Sequence, residues 1–158
     1  MRTDPRCRRL SELSEQSHLL YRQLAERYLA RECRALGLTE GLCAGDYAFL
    51  NAVGESAGDC AVMAEAARRL GINPSTATRQ VNRLLAGGLV TKSAAPDDER
   101  RYEIRLTPSG RALLERMEAR LYAAVQTAFE SVTGEELQTV FRFMEKYNGS
   151  LAGLLEGE

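Results

Sequence analysis

The segment from residue 62 to residue 107 constrains the fold of this 158-residue chain more than any other. It reads VMAEAARRLGINPSTATRQVNRLLAGGLVTKSAAPDDERRYEIRLT, which predicts a short helix, a tight turn, a second helix and a charged β-hairpin. Gly71 suits a position just past a helix end, where left-handed backbone angles are needed. Asn73 and Pro74 provide an N-cap and a first helical residue, and Gly87-Gly88 ends the second helix.

The hairpin is indicated by two alternating stretches, residues 89–92 and 102–106, that flank a polar tip. This order of elements is the signature of a winged helix-turn-helix, in which the second helix lies in the major groove of DNA. The first turn of that helix combines exposed backbone N–H groups with hydroxyl side chains, and both suit phosphates. The segment therefore predicts a DNA-binding surface.

Arg79 is the first candidate for base readout, because it projects from the second helix and can donate two hydrogen bonds to guanine. No acidic residue lies three or four positions away within this helix, which argues against an intrahelical ion pair. We expect the hydroxyls to bind phosphates, whereas Gln80 and Arg83 lie where base or backbone contact is feasible. The predicted DNA contacts are Ser75, Thr76, Thr78, Arg79, Gln80, Arg83, Lys92, Arg100 and Arg101.

Three motifs in this region resemble the MarR family of transcriptional regulators: PSTATRQVNRL, GGLVTK followed by PDDERR, and LTPSGRALL. The resemblance implies that Asp98 and Arg100 pair to hold the hairpin wing, as in the family's Asp-x-Arg motif. Glu99 departs from the family pattern, in which a basic residue often stands there and reaches into the minor groove. Because a carboxylate would repel phosphate, we expect the other basic wing residues to contact mainly the DNA backbone.

The charge distribution separates this segment from the rest of the chain. The whole chain has a net charge of −1, but residues 68–105 contain eight basic and four acidic residues, a net charge of +4. Residues 1–67 have a net charge of −2 and residues 106–158 a net charge of −3. A local positive charge is the expected footprint of a surface that meets DNA.

The rest of the chain is predicted to be helical. Apolar residues recur at three- and four-residue steps from about residue 10 to residue 35, and a second helix is predicted at residues 45–54. Thr107-Pro108 begins a fifth helix, and Thr133 with Glu136 forms a capping box before a sixth. We therefore predict a mainly α-helical (α+β) winged helix-turn-helix fold with about six helices and a small β-hairpin wing.

The apolar stripes of the terminal helices predict a homodimer, since a small winged module has too little surface to bury them. Residues 1–38 and 108–158 would form the dimerisation region and residues 39–107 the DNA-binding region, within one interleaved domain. The resemblance implies that the terminal helices interlock between two protomers, whereas a monomeric helix bundle is the alternative. A two-fold dimer would present two recognition helices about one duplex turn apart, so the expected target is a pseudo-palindrome.

A small effector is implied by the same resemblance. Many MarR-family proteins lose DNA affinity when an aromatic or phenolic compound binds between the dimer helices and the winged lobe. A mixed apolar and polar crevice at the first, second and fifth helices could accept such a compound. The candidate pocket residues are His18, Tyr21, Arg22, Tyr47 and Phe49, for each of which an ordinary core or surface position is the alternative.

The four cysteines leave a redox-responsive regulator of the same fold open as an alternative. They are Cys7, Cys33, Cys43 and Cys60, of which the last three are the candidates for a reactive thiol. With His18 as its single histidine, the chain is a poor candidate for a zinc site or a nucleophile–histidine–acid catalytic set. We therefore predict no enzymatic activity, no cofactor and no metal.

The sequence as a whole predicts a cytoplasmic, homodimeric transcriptional regulator that binds double-stranded DNA, most often as a repressor in this family. A cytoplasmic location is expected because the chain shows no bilayer-spanning apolar run and its charged N-terminus lacks the apolar stretch of a secretory signal. A winged-helix interaction adaptor that does not bind DNA is the alternative from another class. The net positive segment around Arg79 argues against the adaptor hypothesis, because a protein that does not bind DNA does not need such a segment.

Overall fold

The computed structural model describes residues 4–38, 41–95 and 98–156, with the side chains of residues 98–100, 155 and 156 outside that description. Contacts divide the chain into two compact units, Met1–Leu121 and Tyr122–Glu158. The described residues form six α-helices and a three-stranded antiparallel sheet, which confirms the predicted fold class. None of the described helices is long and apolar enough to cross a membrane.

The first unit contains four complete helices and most of a fifth. They are α1 (Pro5–Ala35), α2 (Ala44–Gly54), α3 (Met63–Arg69), α4 (Pro74–Ala86) and α5 (Pro108–Phe129), whose last turns belong to the second unit. α1 begins earlier than its apolar pattern predicts, because the Asp4 carboxylate accepts a hydrogen bond from the Arg6 amide at 2.8 Å and caps the helix. The Ala57–Asp59 turn is a short 3-10 helix.

The sheet contains one strand more than the predicted hairpin. β2 (Val90–Ala95) and β3 (Asp98–Leu106) form the wing, and β1 (Cys60–Val62) pairs with the other edge of β3. Ile104 on β3 lies opposite both Ala61 and Lys92, which fixes the register of the three strands. β3 is therefore the central strand, and it ties the wing to the segment that precedes α3.

The helix-turn-helix follows its local signals. The turn between α3 and α4 places Gly71 at φ +63°, a left-handed conformation that glycine adopts without strain. The side chain of Asn73 accepts a hydrogen bond from the Thr76 amide at 2.8 Å and caps α4, with Pro74 as its first residue. Both features agree with the prediction, so the start of α4 is fixed by the sequence around it.

The core of the first unit lies between α4, the sheet, α2, α1 and α5. Its largest fully buried apolar side chains are Leu29, Phe49, Leu50, Val53, Val81, Leu84, Leu89, Ile104, Leu113 and Met117. α5 begins so close to the start of β2 that a Cβ on Gly110 would lie 2.0 Å from the Leu89 carbonyl oxygen. The Thr107 amide also donates to that oxygen at 3.0 Å, so the first turn of α5 is fastened to the wing.

The second unit comprises the end of α5 and α6 (Gly134–Glu156). The predicted capping box begins α6: the Glu136 side chain accepts from the Thr133 amide at 2.8 Å, and Thr133 Oγ1 accepts from the Glu136 amide at 3.3 Å. None of the described side chains of α6 is buried, although the helix carries several large apolar residues.

Candidate nucleic-acid interface

α4 has one polar, exposed face and one apolar, buried face, as expected of a helix that packs on a core. Ala77, Val81 and Leu84 lie in the core at three- and four-residue steps. We call the opposite surface the recognition face; it is formed by Ser75, Thr78, Arg79 and Asn82. Asn82 was not among the predicted contacts, although it lies one turn after Thr78 and asparagine can hydrogen-bond the edge of adenine.

The polar side chains at the start of α4 contact one another in the free protein. Ser75 Oγ donates to the Asn73 side chain at 2.8 Å, and Thr78 Oγ1 donates to the Pro74 carbonyl at 2.9 Å. Arg79 Nη2 donates to Thr76 Oγ1 at 3.3 Å, an exposed and weak contact that leaves the rest of the guanidinium in solvent. Arg79 is therefore positioned to reach a partner beyond the helix.

Arg83 lies at the edge of the recognition face and is bound to Asp46 on the first turn of α2. Its Nε donates to both carboxylate oxygens at 2.9 and 3.0 Å, and its Nη2 donates to one of them at 2.7 Å. The Asp46 side chain is fully buried and also accepts from the Cys43 amide at 2.9 Å. The hydrogen bonds that Arg83 donates to Asp46 raise the pKa of its guanidinium, so this side chain remains positively charged.

Gln80 is buried between α4 and α2, with 6% of its surface exposed. A Cβ on Gly45 would lie 2.6 Å from Gln80 Nε2, which shows how closely the side chain approaches the first turn of α2. Within the described residues its Oε1 has no hydrogen-bond partner. A DNA contact by Gln80 would therefore require its side chain to leave this position.

The basic residues of the wing have different surroundings. Lys92 Nζ lies 3.8 Å from the centre of the Tyr102 ring, a cation–π contact on the exposed hairpin. Arg101 Nη2 donates to Glu65 Oε1 on α3 at 2.9 Å. The predicted pair of Asp98 with Arg100 rests on side chains that lie outside the described part of the chain.

The candidate effector residues divide between surface and core. His18, Tyr21 and Arg22 are exposed on α1, whereas Phe49 is fully buried. Burial raises the pKa of Tyr47 to about 12, with smaller contributions from the nearby Tyr21 and Glu118. Tyr21 thus acts on Tyr47 electrostatically, and Phe49 belongs to the buried core.

The thiols differ in their surroundings. Burial raises the pKa of Cys33 and of Cys60, and Cys60 Sγ also lies 3.6 Å from a carboxylate oxygen of Glu103. A raised pKa disfavours the thiolate, so neither residue has the environment of a reactive cysteine. Cys43 is exposed, with its Sγ 3.8 Å from Arg83 Nη2. Among the described residues, no three His, Cys, Asp or Glu side chains are grouped as a metal site.

Comparison with known proteins shows which family the chain resembles. The model of the MarR family matches residues 36–101, from the end of α1 into β3. A Thauera aromatica protein described as a transcriptional regulatory protein for the hcr operon is 27% identical over 123 residues. That match covers 78% of this chain and 66% of the Thauera protein.

Two solved structures share the fold. A mutant MarR from E. coli complexed with operator DNA gives a TM-score of 0.72 at 21% identity, over 92% of this chain and 99% of that one. The second is Sco3205, a MarR-family transcriptional regulator from Streptomyces coelicolor in complex with DNA. It gives a TM-score of 0.65 at 26% identity, over 89% of this chain and 86% of Sco3205. The resemblance to the MarR family is confirmed, and members of this family are transcriptional regulators, not enzymes.

Proposed function

We propose that this protein is a transcriptional regulator of the MarR family, a homodimeric repressor that binds a pseudo-palindromic operator and is released by a small effector. The observation that carries the proposal is the recognition face of α4. It presents two hydroxyls, an amide and the Arg79 guanidinium to solvent, beside a capped helix N-terminus. These are groups that hydrogen-bond phosphates and base edges in the major groove.

The fold neighbours support DNA as the partner. The E. coli MarR structure contains operator DNA, and the Sco3205 structure contains DNA. In a helix-turn-helix the second helix enters the major groove, and α4 is the corresponding helix here. A regulator of this kind would act in the cytoplasm.

The exposed apolar surface of α6 supports the homodimer. Six of the seven large apolar residues that are exposed on the described part of α6 form what we call the α6 stripe: Val140, Phe141, Met144, Tyr147, Leu151 and Leu154. They recur at three- and four-residue steps and so lie along one face of the helix. A continuous apolar face of this length marks an interaction surface, and a second copy of the chain would cover it with an identical stripe.

The release by a small aromatic or phenolic effector rests on the family resemblance and on Tyr21 and Tyr47. Tyr21 on α1 contributes to the raised pKa of Tyr47 on α2, and Arg22 follows Tyr21 in the sequence. Aromatic rings and a guanidinium are suitable partners for an aromatic anion. In this proposal, Phe49 supports the site from within the core.

Selection of binders from random duplex DNA at physiological salt, followed by sequencing, tests the proposal. We expect a pseudo-palindrome with half-sites about 10 base pairs apart, because two α4 helices related by a two-fold axis meet successive turns of the major groove. Binding to all duplexes with equal affinity, or to none, would contradict sequence-specific regulation. An enriched single half-site would support DNA readout by α4 and contradict the homodimer.

A further inference from the structure

Asp46 joins α2 to the flank of the recognition face. Its side chain is fully buried, whereas the Arg83 side chain that binds it is partly exposed at the edge of α4. Arg83 approaches with Nε and Nη2, and their three contacts with the carboxylate span 2.7 to 3.0 Å. This two-pronged geometry fixes the guanidinium in direction as well as in distance.

The Asp46–Arg83 pair provides the charge and the hydrogen bonds that a buried carboxylate requires. A buried charge is costly unless it is paired and hydrogen-bonded, and Asp46 has both the Arg83 fork and the Cys43 amide as donors. α4 also packs on α2 in this region, where Gln80 lies against Gly45. The orientation of α4 on α2 is thus specified by a charged pair and by a close packing contact.

The pair also determines what Arg83 can offer to DNA. Nε and Nη2 are bound to Asp46, and the carboxylate compensates the positive charge. An arginine held in this way has little reach toward a phosphate. Among the described residues, Arg79 on the same helix makes one exposed contact, with a hydroxyl at 3.3 Å. Arg79 and Arg83, one turn apart on α4, therefore differ in how readily they can bind DNA.

We propose that Asp46 is a positioning residue for DNA readout, which withholds Arg83 from the phosphates and sets the orientation of α4, so that Arg79 and its neighbours meet the bases. This inference rests on the proposed DNA binding. Sequence-independent affinity comes mainly from phosphate contacts, whereas base contacts supply specificity. By limiting the phosphate contacts of α4, Asp46 raises the ratio of specific to non-specific affinity.

The test is Asp46→Asn, measured on the selected operator and on a random duplex over a series of salt concentrations. Asparagine has nearly the same shape but no charge, so it releases Arg83. We expect random-duplex affinity to rise, the ratio of operator to random affinity to fall about tenfold, and the salt slope on random DNA to steepen by about 0.9, as one added phosphate contact requires.

Glu32→Gln is the matched control. Glu32 is also a buried carboxylate bound by arginines, Arg116 and Arg120, but it joins α1 to α5. Replacing Glu32 by glutamine removes the same charge but leaves the contacts of α4 unchanged. The ratio of operator to random affinity and the salt slope on random DNA should therefore remain those of the wild type. The double variant D46N/R83Q should return the salt slope to the wild-type value, because it removes the released guanidinium.

The outcomes separate the two proposals. A merely structural Asp46 would reduce the amount of active protein and lower both affinities by one factor at an unchanged salt slope, which overturns the inference. If D46N does not fold, Arg83→Lys replaces it as the test, because lysine keeps the charge but cannot make the two-pronged contact with Asp46. An unchanged ratio of operator to random affinity in Arg83→Lys would also overturn the inference. A wild type without sequence preference contradicts the proposed function, and the role of Asp46 with it.

Discussion

The exposed faces of α4 and α6 have opposite chemistry. The recognition face of α4 is polar and lies over a row of fully buried side chains, Ala77, Val81 and Leu84. The α6 stripe is apolar and exposed, and 48% of the surface of Phe141 is accessible. Of the two helices, only α4 uses its apolar residues to build the core of its own unit.

The difference indicates two kinds of partner. In the first unit a single chain buries its apolar side chains, so the polar groups that remain outside are available to a polar, charged partner such as DNA. In the second unit most of the large apolar side chains are exposed, which is unfavourable in water and favours cover by another apolar surface. Four substitutions can break or sharpen this comparison.

The largest effect is expected from Leu84→Ala, which tests whether the first unit is complete within one chain. Leu84 is fully buried on α4, and its truncation should lower the free energy of unfolding by about 2–5 kcal/mol. Chemical denaturation at several protein concentrations measures this change. Leu85→Ala, at a partly buried neighbour, is the matched control and should cost less. Equal losses for both variants would contradict the described core.

Phe141→Glu tests whether the α6 stripe is covered by a second copy. A carboxylate in an apolar contact should raise the dimer dissociation constant about 100-fold, since burying an unpaired charge is unfavourable. Analytical ultracentrifugation measures that constant, and circular dichroism checks that α6 remains helical. Gln138→Glu adds the same charge to a polar position of the helix and should leave association unchanged. A dimer that tolerates Phe141→Glu would place the α6 stripe outside its interface.

The sequence predicted the elements whose signals are local. Asn73 caps α4 and the Thr133–Glu136 capping box begins α6, because each requires residues within three positions of one another. The helix-turn-helix and the hairpin of the wing were predicted for the same reason. β1 was missed, since a strand of three residues, Cys60–Val62, is too short to show an alternating pattern.

The long-range parts of the site could not be predicted. Asp46 and Arg83 are 37 positions apart, and their pairing depends on how α4 packs on α2. Gln80 is polar and one position from the buried Val81, so its pattern fits the edge of either face of α4. Only tertiary packing decides that Gln80 lies inside and Asn82 outside.

Glu32→Gln tests how much of the first unit depends on the pair between α1 and α5. Arg116 Nε donates to the buried Glu32 carboxylate at 2.6 Å and Arg120 Nε at 3.1 Å, so the substitution should cost about 1.5–3 kcal/mol near neutral pH.

The pH dependence of that cost distinguishes the ion pair from simple packing. The hydrogen bond from Arg116 lowers the pKa of Glu32 in the folded protein. Because the pKa of Glu32 is lower in the folded than in the unfolded protein, the ion pair stabilises the fold at pH values above the unfolded pKa of about 4.3. That stabilisation is lost as the pH falls from there through the folded-state pKa. The difference in unfolding free energy between wild type and E32Q should therefore shrink in acid. A difference independent of pH would mean that only packing is lost.

The smallest effect is expected from Arg79→Ala, which tests what the polar face of α4 is for. Loss of a two-pronged contact with guanine should weaken operator binding by about 1–3 kcal/mol and relax base preference at one position, with much less change on random DNA. Arg68→Ala on α3 is the matched control, since it removes one exposed charge of the basic segment without altering α4. Fluorescence anisotropy on operator variants with single base-pair changes measures both. Equal losses of affinity on operator and random duplexes would show that Arg79 contacts the DNA backbone and not the bases. The recognition face would then bind DNA without contributing to sequence specificity.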